Sequence, residues 1–491
     1  MKHYILLLLS LFAVTAFSQT APDVLKFSYL NPGGTARFVG AGGTFGALGA
    51  EFGGLSQNPA GLAMYRTSEL VVTPGLRFAN TDATLQGNNN LTFDESKTHF
   101  RFDNLGIVFN TTPVSGKWKT FNVGIGYNQQ ANYNQGIYYA GNAAGSILNN
   151  WYTNARSVLA SGGTTDDFDE FTGKLAYQTE AIYGSTAANL TYDFVNTPNA
   201  VVEHSQSVTQ SGTYNEMVLS LAGNYDEKLL VGATLGIPFV RYRISTEYRE
   251  KDINNAVDAF ENLAYSEFLN TDGYGINIKF GVIYRASQAV RIGAHIHSPT
   301  WMSLTDDYST SLTYVYNPGN PTPVSATKNS GSFPFDYKLT TPWRAGVSGA
   351  VLLQKHGFLS AEVEWVDYSA NAYNFTADVA NTENQLAERQ VNADIQRLFE
   401  PRMNIRVGGE LALSEFRLRG GVNLLGKPYA TDDGFNTGYT AGAGVRSESF
   451  FLDFGVRIGS GTGSVIAYSE GPKADTKNNV TDVLMTVGFK F

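Results

Sequence analysis

The chain has 491 residues, no cysteine and a formal net charge of −9. The lack of cysteine excludes disulfides, thiolate metal sites, a cysteine nucleophile and a cysteine-linked lipid anchor, and the lack of a basic run argues against a nucleic-acid partner. Glycine is abundant (51 residues), aromatics reach 13%, and charged residues are only 16%, against roughly 25% in typical soluble proteins. This composition is typical of a girdled membrane β-barrel.

The first residues predict an export signal. Lys2 and His3 precede an apolar run over residues 4–16, and the small-residue pattern that ends at Ser18 offers a cleavage site before Gln19. The run is shorter than the roughly 20 residues of a spanning helix, so we expect residues 1–18 to be a signal peptide. No later segment reaches the length of an apolar spanning helix.

Residues 19–66 precede the first predicted strand and are rich in small side chains. The glycines of this segment are Gly33, Gly34, Gly40, Gly42, Gly43, Gly46, Gly49, Gly53, Gly54 and Gly61. A segment of this kind can hang below a barrel or fold inside its lumen, where side-chain volume is scarce. We favour the lumen and expect residues 19–66 to form a hatch and residues 67–491 the barrel.

The rest of the chain shows the period-2 alternation of strands that separate lipid from an aqueous lumen. We predict fourteen such strands, with a bulge near Asn104 where the alternation changes phase. Their cores are residues 70–78, 100–110, 121–127, 217–223, 229–237, 274–282, 290–296, 343–351, 359–365, 405–413, 416–424, 439–445, 450–458 and 483–491. The predicted fold is therefore an all-β, fourteen-stranded antiparallel transmembrane barrel.

Connection lengths and the C-terminal strand support this prediction. Short links alternate strictly with longer ones, as expected for periplasmic turns and outer loops. The last strand alternates apolar and polar residues and ends on Phe491, which resembles the signal read by the outer-membrane barrel-assembly machinery. That machinery is an expected partner, together with outer-membrane lipids, and the expected location is the cell outer membrane.

The Gly/Ala-rich segment carries a family resemblance. Residues 35–43 and 55–62, which include Asn58, Pro59, Ala60 and Gly61, look like the N-terminal hatch of the FadL family and its Asn-Pro-Ala motif. The resemblance implies a monomeric barrel closed by the hatch, which takes up long-chain fatty acids or other hydrophobic compounds passively. It further implies ligand capture by the outer loops and a sideways exit through the wall at the third strand.

The outer loops contain apolar residues at helical spacing, which predicts helical segments there. One stripe includes Trp151, and another, between the fifth and sixth strands, includes Val257, Phe260 and Phe268. These residues are candidates for ligand capture. The same stripes also fit loops that only pack against each other above the barrel.

The third predicted strand loses its apolar alternation after Tyr127. Gly124 and Gly126 leave room inside the barrel, and a polar run begins at Asn128. We mark Gly124, Gly126 and Asn128 as a candidate lateral opening. The alternative is that the strand has simply risen above the bilayer.

Several charged and histidine residues are expected to face the lumen. His295 and His297 share one face of the seventh strand; they could hold a metal or contact haem, but no carboxylate is spaced beside them, so we predict no metal site and no cofactor. An ion-pair network is predicted from the inward-facing Arg344, Arg406, Arg417, Arg419, Arg457, Glu362, Glu364, Glu410, Glu415 and Asp453.

No catalytic motif is present: the chain has no Gly-x-Ser-x-Gly elbow, no His-Glu-x-x-His pair and no phosphate loop. We therefore expect a channel rather than an enzyme such as an outer-membrane lipase. Two other functions stay open. One is a FadL-like scaffold or shuttle barrel of a secretion system, and the weaker one is a haem receptor.

Overall fold

The computed structural model describes residues 19–87, 91–319, 322–376 and 381–491. The predicted signal peptide, residues 1–18, lies outside these ranges. Within the described residues, no helix is long and apolar enough to span a membrane.

Strands make up most of the described chain. They are β1 (Glu69–Leu85), β2 (Thr92–Thr111), β3 (Trp118–Asn132), β4 (Gln135–Ala144), β5 (Ile182–Tyr183), β6 (Thr191–Tyr192), β7 (Val201–Tyr225), β8 (Leu229–Lys251), β9 (Phe260–Arg285), β10 (Val290–His297), β11 (Trp301–Tyr316), β12 (Val324–Asn329), β13 (Phe333–Thr340), β14 (Arg344–Leu352), β15 (Gly357–Asp367), β16 (Ala372–Asn374), β17 (Pro401–Leu413), β18 (Phe416–Gly426), β19 (Phe435–Arg446), β20 (Phe450–Ile466) and β21 (Lys473–Lys490).

Helices lie in the N-terminal segment and in the loops. The α-helices are α1 (Leu25–Ser28), α2 (Ala36–Gly40), α3 (Ile147–Ala160), α4 (Gly173–Gln178) and α5 (Thr382–Leu398). Short 3-10 helices cover Ala21–Val24, Phe52–Ser56, Pro59–Met64, Thr165–Asp167 and Tyr368–Ala370.

Fourteen of the described strands close into one antiparallel barrel. The circuit runs β1, β2, β3, β7, β8, β9, β10, β14, β15, β17, β18, β19, β20 and β21, and β21 pairs with β1 from Glu69↔Lys490 onward. Each of these strands overlaps one predicted strand core, so the fourteen-stranded barrel is confirmed. Closure gives every strand of the circuit two neighbours, which satisfies most of the backbone as a lipid environment requires.

The barrel wall sorts side chains by face. On β9, Ile276, Ile278, Phe280 and Val282 face outward, and Phe280 is 56% exposed. Thr271, Asn277 and Lys279 on the same strand face inward and are buried. The outward apolar side chains form a belt that matches the hydrocarbon core of a bilayer.

The predicted bulge is present on β2. The β1–β2 register passes from Thr73↔Asn104 to Pro74↔Phe102, so Asp103 is left without a partner residue on β1. A bulge at this point changes which face the following side chains occupy, which explains why the apolar alternation changes phase there.

One of the two predicted loop helices is confirmed, and the other prediction is wrong. The stripe with Trp151 lies on α3, as expected. The stripe from Val257 to Phe268 is not helical, because β9 already begins at Phe260 and pairs with β8 and β11. Strand pairing above the membrane satisfies the backbone there, so the helical spacing of these apolar residues is incidental.

The N-terminal segment contacts the inner face of the wall around its circumference. Ala36 packs against Gly455 of β20, Gly42 against Gly421 of β18, Gly46 against Gly293 of β10, and Pro59 against Gly232 of β8. These strands lie on different sides of the circuit. The segment is therefore enclosed by the barrel, and its small residues meet wall glycines where backbone touches backbone.

Candidate functional site

The Asn-Pro-Ala motif fixes the N-terminal segment to the wall. The Asn58 side-chain Nδ2 donates to the carbonyl oxygen of Gly46 at 2.6 Å, and Asn58 Oδ1 accepts from the Ala60 N–H at 3.1 Å. Asn58 sits directly on Gly281, where a Cβ would collide with Asn58 Oδ1. The motif therefore caps the 3-10 helix that starts at Pro59 and also seats it on β9.

Backbone contacts of Gly61 stabilise the same region. Its carbonyl oxygen accepts from the Ala50 N–H at 2.9 Å, and its Cα lies against Gly49. Gly49 has a φ of +75°, a left-handed conformation that favours glycine. The contact holds together two parts of the N-terminal segment.

Ion pairs join the segment to the wall and the strands to one another. Arg37 of α2 contacts Glu410 at 2.9 Å, and Glu410 also contacts Arg419 at 2.6 Å. The network extends through Arg419–Asp453, Arg406–Glu362, Arg344–Glu364 and Arg457–Asp482. The predicted lumenal network is thus present for most of its members.

Two predicted members of the network lie elsewhere. Arg417 Nη1 donates to the carbonyl oxygens of Ser414 and Phe416, and Glu415 is an exposed residue of the turn between β17 and β18. Both residues lie at the rim of the barrel. The alternation pattern predicts which face of the strand a residue occupies but not its height along the barrel, so the sequence could not separate these two residues from those in the lumen. They do not contribute to the lumen.

The two histidines of β10 face inward, as predicted. Their rings stack with centroids 5.0 Å apart, and His297 Nε2 donates to the carbonyl oxygen of Gln57 at 2.7 Å. The pair therefore supports the N-terminal segment. Within the described residues, no cluster of three or more acidic, histidine or cysteine ligands is arranged for a metal ion.

Two cavities lie in the bore beside the N-terminal segment. The smaller, about 60 Å³, is lined by Leu30, Phe38, Tyr214 and His297. The larger, about 380 Å³, extends along Tyr29, Arg77, Arg101 and residues 129–133, at the end of β3 and just beyond it. Their walls mix apolar, aromatic and basic side chains, which suits a molecule with an apolar body and a polar end.

The strand pairing of the barrel wall is incomplete between β2 and β3. Their pairing runs from Thr111↔Phe121 up to Asn104↔Asn128, whereas β3 goes on pairing with β7 beyond that point, with Gln130 as an extra residue in the ladder. The pairing between β2 and β3 thus ends at Asn128, a residue marked from the sequence. The outward side chains at this height are apolar, and Phe102 is 52% exposed.

The three marked residues of β3 all contact the N-terminal segment. Gly124 faces Leu55 and Leu62, and Gly126 faces the ring of Phe52. Asn128 Nδ2 donates to Ser56 Oγ at 2.9 Å, and Asn128 Oδ1 accepts from Asn104 at 2.8 Å. The glycines leave room for hydrophobic side chains, and Asn128 links the segment to both strands.

The outer loops form a hydrophobic cluster with a cavity of about 410 Å³. Trp151 packs edge-on against Tyr265 with centroids 4.9 Å apart, and both line this cavity with Ile147, Phe171 and Tyr308. Val257 and Phe260 are buried in the same cluster. Three of the four predicted capture residues are therefore brought together.

Phe268 lies apart from them. It is 48% exposed on the outward face of β9, between outward-facing Ser266 and Asn270. It cannot line a cavity above the lumen, because residues two positions apart on a strand share one face and this face is the outer one.

The fold and the enclosed segment define a class: a fourteen-stranded antiparallel β-barrel whose bore holds an N-terminal segment. The structure is similar to that of a Pseudomonas aeruginosa FadL homologue, with 12% identity, a TM-score of 0.51, and coverage of 94% of this chain and 100% of the other. It is also similar to the Pseudomonas putida toluene transporter TodX, with 11% identity, a TM-score of 0.51 and coverage of 94% and 99%. The fold implied by the resemblance of residues 35–43 and 55–62 is thus confirmed.

No protein-family model matches the sequence. No curated protein matches it either.

Proposed function

We propose that this protein is a passive outer-membrane channel for hydrophobic compounds such as long-chain fatty acids, and not an enzyme. Residues 19–66 serve as the hatch and residues 67–491 as the channel wall. The observation that carries the proposal is the position of the larger cavity, since residues 129–133 line it at the height where β2 and β3 are no longer paired. This cavity therefore adjoins the part of the wall that the β2–β3 pairing does not close.

The proposed route has three stages. Ligands enter the aromatic cavity around Trp151 and Tyr265, pass into the upper lumen, and leave sideways between β2 and β3 into the apolar belt. Three arginines beside the larger cavity, Arg77, Arg101 and Arg457, share only two carboxylates, Asp103 and Asp482. The remaining positive charge suits a carboxylate end of the ligand. The route needs no energy source, because a hydrophobic compound is more stable in the lipid than in water.

The wall beside β3 offers a direct test. Deleting Gln130 removes the extra residue of β3 and restores a continuous register with β7. We expect this deletion to lower uptake of radiolabelled palmitate into proteoliposomes severalfold. Gln130→Ala keeps the register and is the matched control, with near-normal uptake expected.

Equal uptake by the deletion variant and the control would overturn the lateral route. Mass spectrometry of small molecules that copurify with the detergent-solubilised protein tests the ligand class separately. A protein cargo bound to the outer loops, with no lipid-like molecule in the lumen, would favour the scaffold or shuttle function instead.

A further inference from the structure

The outward face of β8 carries a column of basic side chains directly above the apolar belt. Phe239 is the last apolar residue on this face, and the outward positions that follow alternate with the buried Val240, Tyr242 and Tyr248. These outward positions are Arg241, Arg243, Ser245, Glu247, Arg249 and Lys251. Four of the six are basic, and the Arg241 side chain is 66% exposed.

Neighbouring aromatic residues mark the height of the membrane surface. Tyr274 of β9 is the cross-strand partner of Phe239, and Trp301 is the partner of Ile276. Both aromatic side chains are exposed on the outer face. Since exposed aromatic residues of barrels collect at the membrane–water interface, Arg241 and Arg243 lie just outside it, at the level of lipid phosphate groups.

The arginines are available for a ligand. Arg241 pairs with Asp272 at 3.1 Å, but the Asp272 side chain is itself more than half exposed, so this ion pair is worth little and exchanges readily with water. Arg243 lies between the neutral residues Ser211 and Asn270. The guanidinium of Arg243 therefore faces solvent without a charged cross-strand neighbour.

Three other strands lack basic side chains on their outward faces above the belt. The outward positions above the belt on β1, β2 and β20 are neutral or acidic: Asn80, Asp82, Thr84, Asp94, Ser96, Thr98, Ser460, Thr462 and Ser464. On β21 the outward Lys473 and Lys477 flank the acidic Asp475, so a column of four basic side chains is found on β8 and on none of these other strands. A general attraction to an anionic membrane would not require such a concentration.

Above the arginines, the same wall forms a concavity of about 540 Å³. It is lined by Tyr138, Ser205, Ser207, Arg249 and Asn262, and also by the carboxylates of Glu203, Glu247 and Glu250. Hydroxyl, amide, aromatic and carboxylate groups together suit the hydroxyl groups of a sugar, and they place the sugars, not the phosphate groups, in this concavity. Phe268 lies on the same outward face and is the cross-strand partner of Ser245. The proposed channel does not explain why this aromatic side chain is exposed.

We infer that the outward face of β7, β8 and β9 binds a phosphorylated glycolipid of the outer leaflet. Arg241 and Arg243 bind its phosphate groups, the concavity above them accepts its sugars, and Phe268, which is level with Ser245 above both arginines, packs against a sugar ring. This inference depends on the location in the outer membrane but not on transport through the lumen.

Native mass spectrometry of the detergent-purified full-length protein, titrated with diphosphoryl lipid A, tests the inference. We expect Arg241→Gln combined with Arg243→Gln to weaken binding about thirtyfold, from roughly a fivefold effect of each charge. The control is Lys473→Gln combined with Lys477→Gln, which removes the same charge from the outward face of β21. This control should bind as the wild type does.

Equal weakening in both double variants, or no weakening in either, would overturn the inference. Inorganic phosphate in large excess should not displace the lipid, since displacement would indicate a simple phosphate site. Lipid A without phosphates should bind as weakly as the arginine variant. If the double variant fails to fold, Arg243→Gln alone should still weaken binding about fivefold, and palmitate uptake, measured separately, should be unchanged.

Discussion

The backbone N–H of Gly33 donates a hydrogen bond of 2.8 Å to the carbonyl oxygen of Gln129. This bond forms just beyond the last β2–β3 pair, Asn104↔Asn128, so a residue of the N-terminal segment takes the position that β2 has vacated. Arg101 supports it from the side, since it contacts Asp103 at 2.8 Å and donates to Gln129 Oε1 at 3.0 Å. The N-terminal segment therefore completes the wall at the point where β2 and β3 are no longer paired.

Replacing Gly33 should loosen this seal. A Cβ at position 33 would lie 2.7 Å from Asp103 Oδ1 and 3.1 Å from the Gln129 carbonyl oxygen, and overpacking of this kind costs about 1–3 kcal/mol. We expect Gly33→Ala to raise palmitate uptake and the conductance of planar bilayers. Gly459→Ala is the control, because a Cβ there meets open space; a similar rise in this variant would contradict the interpretation.

Asn58 should be essential for the position of the N-terminal segment. Asn58→Ala removes the bond to Gly46 and leaves the Ala60 N–H without its partner, at a cost of about 1–3 kcal/mol for each buried group. We expect faster hydrogen exchange over residues 46–61 and larger conductance. Gly281→Ala should have the same effects, since the added Cβ on the barrel wall would collide with Asn58 Oδ1 and push Asn58 away.

Gly349→Ala provides the control for Gly281→Ala. It also adds a methyl group to a wall glycine, but nothing lies within 4 Å of that Cβ. If all three variants exchange alike, the motif does not hold the segment in place.

The sequence predicts the barrel well because one rule governs every strand. Each of the fourteen strands places apolar side chains toward lipid, so the period-2 signal is repeated along the chain and even the bulge at Asp103 leaves its trace. The motif at Asn58 is equally accessible, since its three residues are adjacent. Properties that depend on which strands pair with each other cannot be predicted from such local patterns.

Three features show the limit. The bond between Gly33 and Gln129 joins residues that are far apart in the chain, and no local pattern marks either partner. The strand that begins at Phe260 looks helical by spacing, because its apolar residues are buried by loops and not by lipid. The exposure of Phe268 depends on which side of the wall it faces, which the sequence alone leaves open above the apolar belt.

The outer-loop cluster should respond to pH through Glu250. This residue lies well above Phe239 and outside the apolar belt; its Oε1 accepts from the Ile147 N–H at 2.7 Å and from Tyr248 at 2.8 Å. Burial raises the pKa of Glu250 from 4.5 to about 7. Its contribution to loop stability is therefore full below pH 4.5 and is lost as the pH rises through about 7.

The neighbouring His204 has the opposite effect. Burial lowers its pKa from 6.5 to about 4, so its contribution is present above pH 6.5 and is lost as the pH falls toward 4. We expect Glu250→Gln to slow hydrogen exchange of α3 at pH 8, after correction for intrinsic rates, and to leave exchange unchanged at pH 5. Glu247→Gln, on the outward face of the same strand, should change neither; faster exchange of α3 in Glu250→Gln at pH 8 would contradict the sign.

Trp151 should contribute to capture, whereas Phe268 should not. Trp151→Ala removes the ring that packs on Tyr265 and lines the loop cavity, and the loss of a buried tryptophan costs about 3–5 kcal/mol. Because the cavity precedes the lumen, we expect the palmitate concentration at half-maximal uptake to rise severalfold while the maximal rate is largely retained. Phe268→Ser removes an aromatic ring from the outer face and should leave both quantities unchanged. A drop in maximal rate alone for Trp151→Ala would mean that the loops control passage through the lumen and not the first binding step.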